Sequence, residues 1–136
     1  MIYTSTSAPK VSLNYKVKVA AYSVSNCNEL GFTGRVLAVP DMAINILEGP
    51  ERLLSDYVEA IRTDDLIELL IMHHSEALLA RKFDDYSVWL TYKPNEHIQG
   101  VHRLTSENFE SALPSDLPLK ARLFIDANFD VNSVGA

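Results

Sequence analysis

Gly31–Pro50, GFTGRVLAVPDMAINILEGP, decides the fold. Val36, Leu37, Ala38 and Val39 form an apolar, β-prone run, and Ala43–Leu47 form a second. Pro40-Asp41 between them supplies turn chemistry, because Pro sets φ and Asp can hydrogen-bond its own backbone. The stretch therefore predicts a hairpin at the centre of a sheet. Gly49-Pro50 ends the second strand. Asn45 stands out within AINIL. A buried amide needs partners there, since an unpaired one costs about 1–3 kcal/mol.

Around this hairpin lie 136 residues, enough for one domain with a core of its own. Cys27 is the single cysteine, so neither a disulfide framework nor a thiolate metal cluster is expected. The opening MIYTSTSAP has no basic, then apolar, leader pattern. No run approaches the roughly 20 apolar residues of a membrane span. A net charge of −6 disfavours general affinity for nucleic acid, whose phosphates it repels. These features predict a soluble domain of a reducing compartment, the cytoplasm, with neither membrane nor nucleic acid as partner.

Upstream of the hairpin, Met1–Ser5 reads as a strand, with Ile2 on one face and Tyr3 on the other. Val11–Val24 is ambiguous. Val11, Leu13, Tyr15, Val17 and Val19 alternate as in a strand, while Leu13, Val17, Ala20, Ala21 and Val24 share a helical face that Ser12 could cap. Downstream, Leu53, Leu54, Tyr57, Val58 and Ile61 predict a helix over Pro50–Thr63. Leu66–His73 predicts a strand buried on both faces. Ser75–Asp84 reads as loop with a short helical turn, and Tyr86–Tyr92 alternates as a further strand. Ser106 should cap a short helix with Phe109 and Leu113 inward. Leu117–Phe129 should form another, with Leu119, Leu123 and Phe124 packed down, before a frayed tail over Val131–Ala136.

Four blocks carry a resemblance. Met1-Ile2-Tyr3-Thr4-Ser5, Gly31-Phe32-Thr33-Gly34, Leu47-Glu48-Gly49 and Arg81–Val88 are similar to the L-I-Y-x-S, G-[IV]-T-G, L-E-G and R-x-F-x-x-W-S-M signatures of BLUF domains, flavin-based blue-light sensors. They keep the family's spacing from Tyr3 to Val88. The resemblance implies an α+β, ferredoxin-like βαββαββ sheet with two helices on one face and a helical C-terminal cap. It places a helix over about Val11–Asn26, against local β-propensity. It divides the chain into a core, 1–93, and a helical extension packed on it, 94–136.

The resemblance also implies FAD between the two long helices, and assigns the cofactor-binding positions Tyr3, Asn26, Cys27, Asn45, Tyr86 and Val88. In the family, a first-strand Tyr hydrogen-bonds a third-strand Gln whose amide contacts the flavin and rearranges in light. The Tyr is kept as Tyr3. The Gln becomes Asn45, one methylene and about 1.5 Å shorter. The family's Asn after the first helix becomes Cys27, a poor donor. Its Trp and Met become Tyr86 and Val88, and an Arg-His pair becomes Leu66-Ile67.

These changes imply a sensory or regulatory domain signalling by protein–protein contact, with a flavin site whose photochemistry is eroded. A working FAD photoreceptor and a flavin-free oligomerising module are the alternatives, with a different small ligand in the groove as a third. A homo-oligomer is expected, with the last strand and Trp89 as its surface. Asn45 could equally be a structural amide, Cys27 a buried filler, and Tyr3, Tyr86 and Trp89 packing aromatics. His73 and His74 point to opposite faces of a strand and cannot share a metal. His97 and His102 sit in an expected loop without an acidic cluster. No activated nucleophile or carboxylate pair is visible, so no enzymatic activity is expected.

Overall fold

A computed structural model describes residues 1–7, 12–40, 42–64, 67–75, 80–92, 97–113 and 119–128. The hairpin forms as its residues require. Strands β2 (Thr33–Val39) and β3 (Met42–Glu48) pair antiparallel with Val36 opposite Asn45 and Gly34 opposite Leu47. β1 (Ile2–Ser7) pairs antiparallel with β3, setting Tyr3 opposite Asn45. Beyond β1 lies β4 (Ile67–His74), and beside β2 runs β5 (Tyr86–Leu90) in parallel. The sheet order is β4-β1-β3-β2-β5-β6. This is the ferredoxin-like arrangement, extended by β6 (Val101–Arg103).

Helix α1 (Leu13–Glu29) resolves the ambiguous segment. Ser12 is its N-cap and accepts a hydrogen bond from the Tyr15 amide at 3.2 Å. Val17, Ala20, Val24 and Cys27 recur at three- and four-residue intervals and are buried, whereas Val19, which strand alternation would bury beside Val17, is exposed. Burial of that stripe outweighs the few tenths of a kcal/mol each β-branched residue costs in a helix. Helix α2 (Glu51–Arg62) starts behind Pro50 and buries Leu54 and Val58. Both helices lie over the sheet face that carries Tyr3, Val36, Leu47, Tyr86 and Val88.

The opposite face has a core of its own. Ile2, Leu37, Ile44 and Ile46 meet Phe83, Leu104, Phe109, Leu113 and Ile125 there. Helix α3 (Leu119–Asn128) contributes Ile125, which is fully buried, and Arg122 bridges to Glu110 and Asp126. The helical cap therefore exists, but several details differ from expectation. Leu119 and Leu123 are 72% and 57% exposed, because α3 turns Ile125 rather than that pair toward the sheet. Thr105, not Ser106, closes the turn before the 3-10 helix Glu110–Ala112: its amide donates to Asn108 Oδ1 at 2.8 Å and its hydroxyl accepts from the Asn108 amide. Phe109 and Leu113 point inward as expected.

Two further corrections concern the sheet. β4 is an edge strand whose Leu69 and Ile71 are 53% and 45% exposed, so one face alone is covered. His102 lies in β6, not in a loop, and its ring stacks on Trp89 at 4.5 Å. Trp89 is half-buried there, its Nε1–H donating to Ser87 Oγ at 3.0 Å, so β5 is an interior strand rather than a free surface. Val11, Asp41, Leu66, residues 76–79, Leu117, Phe129 and the tail from Val131, together with the side chains of His73, His74 and Phe124, lie outside the described residues.

Candidate functional site

A cavity of about 360 Å³ opens between α1 and α2, floored by β1, β3, β2 and β5. Helix spacing supplies one wall, with Ala20, Ser23 and Asn26 from α1; Tyr57, Ala60 and Ile61 of α2 form the other. The floor is set by strand alternation, which brings Tyr3, Val36, Asn45, Tyr86 and Val88 to the helix-covered face. Five of the six positions singled out in the sequence, Tyr3, Asn26, Asn45, Tyr86 and Val88, thus share one cavity. Cys27 does not line it. Fully buried, it lies behind the wall and its Sγ–H donates to Tyr57 Oη at 3.3 Å.

Asn45 is 8% exposed, and its amide nitrogen is already occupied. It donates to Ser5 Oγ at 3.3 Å, to the Ala43 carbonyl at 3.4 Å and to the Tyr3 carbonyl at 3.5 Å. All three bonds are long, and all run to the two strands rather than across the cavity. The aromatic end holds three phenols. Burial pushes Tyr3, Tyr57 and Tyr86 well above the ordinary tyrosine range, and the Cys27 thiol raises all three further. Burial likewise raises Cys27, partly offset by its hydrogen bonding with Tyr57 and Tyr86. All four groups are therefore neutral at pH 7.

Sequence reasoning missed three contributors. Tyr57 counted as part of an apolar stripe, yet it faces the cavity and packs edge-on against Phe32 with ring centres 5.5 Å apart. Asn28 clamps the start of β5: its Oδ1 accepts from the Tyr86 amide at 3.3 Å and its Nδ2 donates to the Tyr86 carbonyl at 3.4 Å. Glu48 is a buried carboxylate that accepts from the Lys82 amide at 2.7 Å, the Phe83 amide at 3.0 Å and Thr33 Oγ1 at 2.9 Å. A charged residue inside the strand-ending LEG was the available signal for the last.

A model of one protein family, BLUF (sensors of blue-light using FAD), matches residues 1–89. No curated protein sequence matches the chain. Among solved structures, BlsA in a photo-activated state superposes with a TM-score of 0.64 at 14% identity, covering 98% of this chain and 91% of that one. BlrB, a BLUF protein in its dark state, gives 0.60 at 21%, covering 66% and 70%. A bacterial light-regulated adenylyl cyclase gives 0.60 at 19%, over 70% of this chain. The chain spans 29% of that cyclase. These likenesses are of fold.

Proposed function

This chain belongs to the BLUF family, sensors of blue light that use FAD, and from that premise we propose a sensory domain that keeps the flavin cavity but has its photochemical switch disengaged. The observation that carries this reading is the Asn45 amide, whose donors run to Ser5 and to strand carbonyls. The residues present fit an isoalloxazine. The cavity's volume lies in the range of small-molecule sites, and Tyr3, Tyr57, Tyr86, Val36 and Val88 give it aromatic and apolar walls. When bound, FAD supplies the light absorption and an electron-accepting ring.

The protein's own residues do the rest. Tyr3 presents a neutral phenol from β1, held protonated by burial and by Cys27. A switch amide must touch both that hydroxyl and the ring. Asn45, about 1.5 Å shorter than a glutamine, serves β1 and the Ala43 carbonyl instead. Cys27 brings no donor into the cavity, because its thiol is spent on Tyr57. Asn26 reaches the cavity from α1, and Tyr86 and Val88 close its floor, so these positions with Tyr3 and Asn45 are the proposed flavin contacts.

Output in this reading is non-catalytic and passes by protein contact in the cytoplasm, with 1–93 as sensor core and 94–136 as the extension that relays it. No helix among the described residues is long and apolar enough to cross a membrane. Self-association is part of the proposal, with Leu69 and Ile71 on the exposed β4 edge as the apolar surface. Light scattering should give a mass above one chain; a monomer at every concentration would remove this element.

For the switch, blue light should leave the visible bands of the FAD-loaded protein unshifted. Asn45→Gln combined with Cys27→Asn should gain a reversible red shift. A shift in the unmodified protein would overturn the proposal in favour of a working photoreceptor, the reading favoured by Tyr3 and Asn45 lying directly opposite in register. Failure to take up FAD at all would favour a flavin-free module.

A further inference from the structure

We infer that Lys16 makes this cavity selective for phosphorylated flavins, FMN or FAD, over riboflavin. The inference rests on the flavin reading above and assigns the cavity's second end. Tyr3, Tyr57 and Tyr86 crowd around Cys27, near the C-terminal end of α1. Along α1 the lining then runs from Asn26 through Ser23, Ala20 and Val19 to Lys16. At 1.5 Å per residue, Lys16 lies about 15 Å from Asn26 along the helix axis. That end is closed by the β2–β3 turn, where Lys16 Nζ donates to the Pro40 carbonyl. An ammonium has three donors, so further ones remain for a ligand.

Among the described residues, the charged members of the lining are Lys16 and Asp64. Ile67, at the start of β4, adds none. A ring seated against the three phenols would leave this end of the cavity for its ribityl chain, and the terminal phosphate of FMN would bring a charge of about −1.5 to −2 there. Lys16 attracts that charge and Asp64 opposes it. Because Lys16 is half-buried, the attraction is screened less than between two fully exposed groups. A partly exposed ion pair of this kind changes affinity by about two- to fivefold.

The test is a titration of the full chain with riboflavin and with FMN, followed by flavin fluorescence. FMN should bind about two- to fivefold tighter, and rising salt should narrow the gap. Lys16→Met, which keeps a good helix former in α1, should bring FMN to riboflavin's affinity; Asp64→Asn should widen the gap. Far-ultraviolet circular dichroism checks that each variant is folded. Equal affinities in the unmodified protein, or a preference that survives Lys16→Met, would overturn the assignment of Lys16 while leaving flavin binding intact. Binding of neither flavin would overturn both readings.

Discussion

Gly34→Ala is expected to be the more damaging of two glycine substitutions that bracket the start of β2. A Cβ built on Gly34 falls 1.9 Å from the Ile46 carbonyl oxygen and 2.9 Å from its carbon. Both are backbone atoms of β3, in the middle of the sheet, and no rotamer change can move them aside. The φ of +149° adds strain for any L side chain. Relief would require separating β2 from β3, which also sets the register of β1. We expect a loss of about 3 kcal/mol or more, a large share of the roughly 5–15 kcal/mol that holds a domain folded. Gly31→Ala is the control. Its φ is +78°, but nothing lies within 4 Å of the added Cβ, so the cost should stay near 1–2 kcal/mol. Urea midpoints for the two variants check this; equal losses would show that the β2–β3 approach is not the constraint.

Glu48→Ala is expected to cost about 3 kcal/mol and to weaken the flavin site with it. The carboxylate gathers the Lys82 and Phe83 amides and the Thr33 hydroxyl, tying the segment before β5 to the end of β3. Arg81 reinforces the tie through the Gly31 carbonyl at 2.7 Å and Thr33 Oγ1 at 3.2 Å. Removing the carboxylate strands the buried Phe83 amide, and an unsatisfied buried donor costs about 1–3 kcal/mol, more where its partner was charged. Phe83 itself belongs to the core beneath the cap. Tyr86, three residues on, enters the cavity floor from this segment, so its position loosens too. Glu48→Gln keeps one acceptor oxygen and should recover part of the loss. The checks are a denaturation midpoint and a flavin titration on the same preparations; an unchanged midpoint for Glu48→Ala would exclude the anchoring role.

Local pattern by itself determined the hairpin, α2 and the central strands. Val36–Val39 and Ala43–Leu47 are β-prone runs joined by a turn, and Leu54 and Val58 recur at helical spacing ahead of any tertiary contact. The place of the cavity was also legible, since the spacing of the four family-like blocks put Tyr3, Asn45, Tyr86 and Val88 on three strands of one sheet and Asn26 on a helix. Tertiary structure decided the rest. The Val11–Val24 segment satisfied two periodicities at once, and only the sheet under Val17, Ala20, Val24 and Cys27 selects the helix. Leu69 and Leu123 look like core in sequence, because an edge strand and a cap helix carry as many leucines as buried ones; which side faces water depends on what covers them. The amides of Asn28 and Asn45 and the carboxylate of Glu48 were ambiguous for the same reason. Their roles depend on partners 58, 40 and 35 residues away along the chain, and such distances are closed only when the sheet assembles.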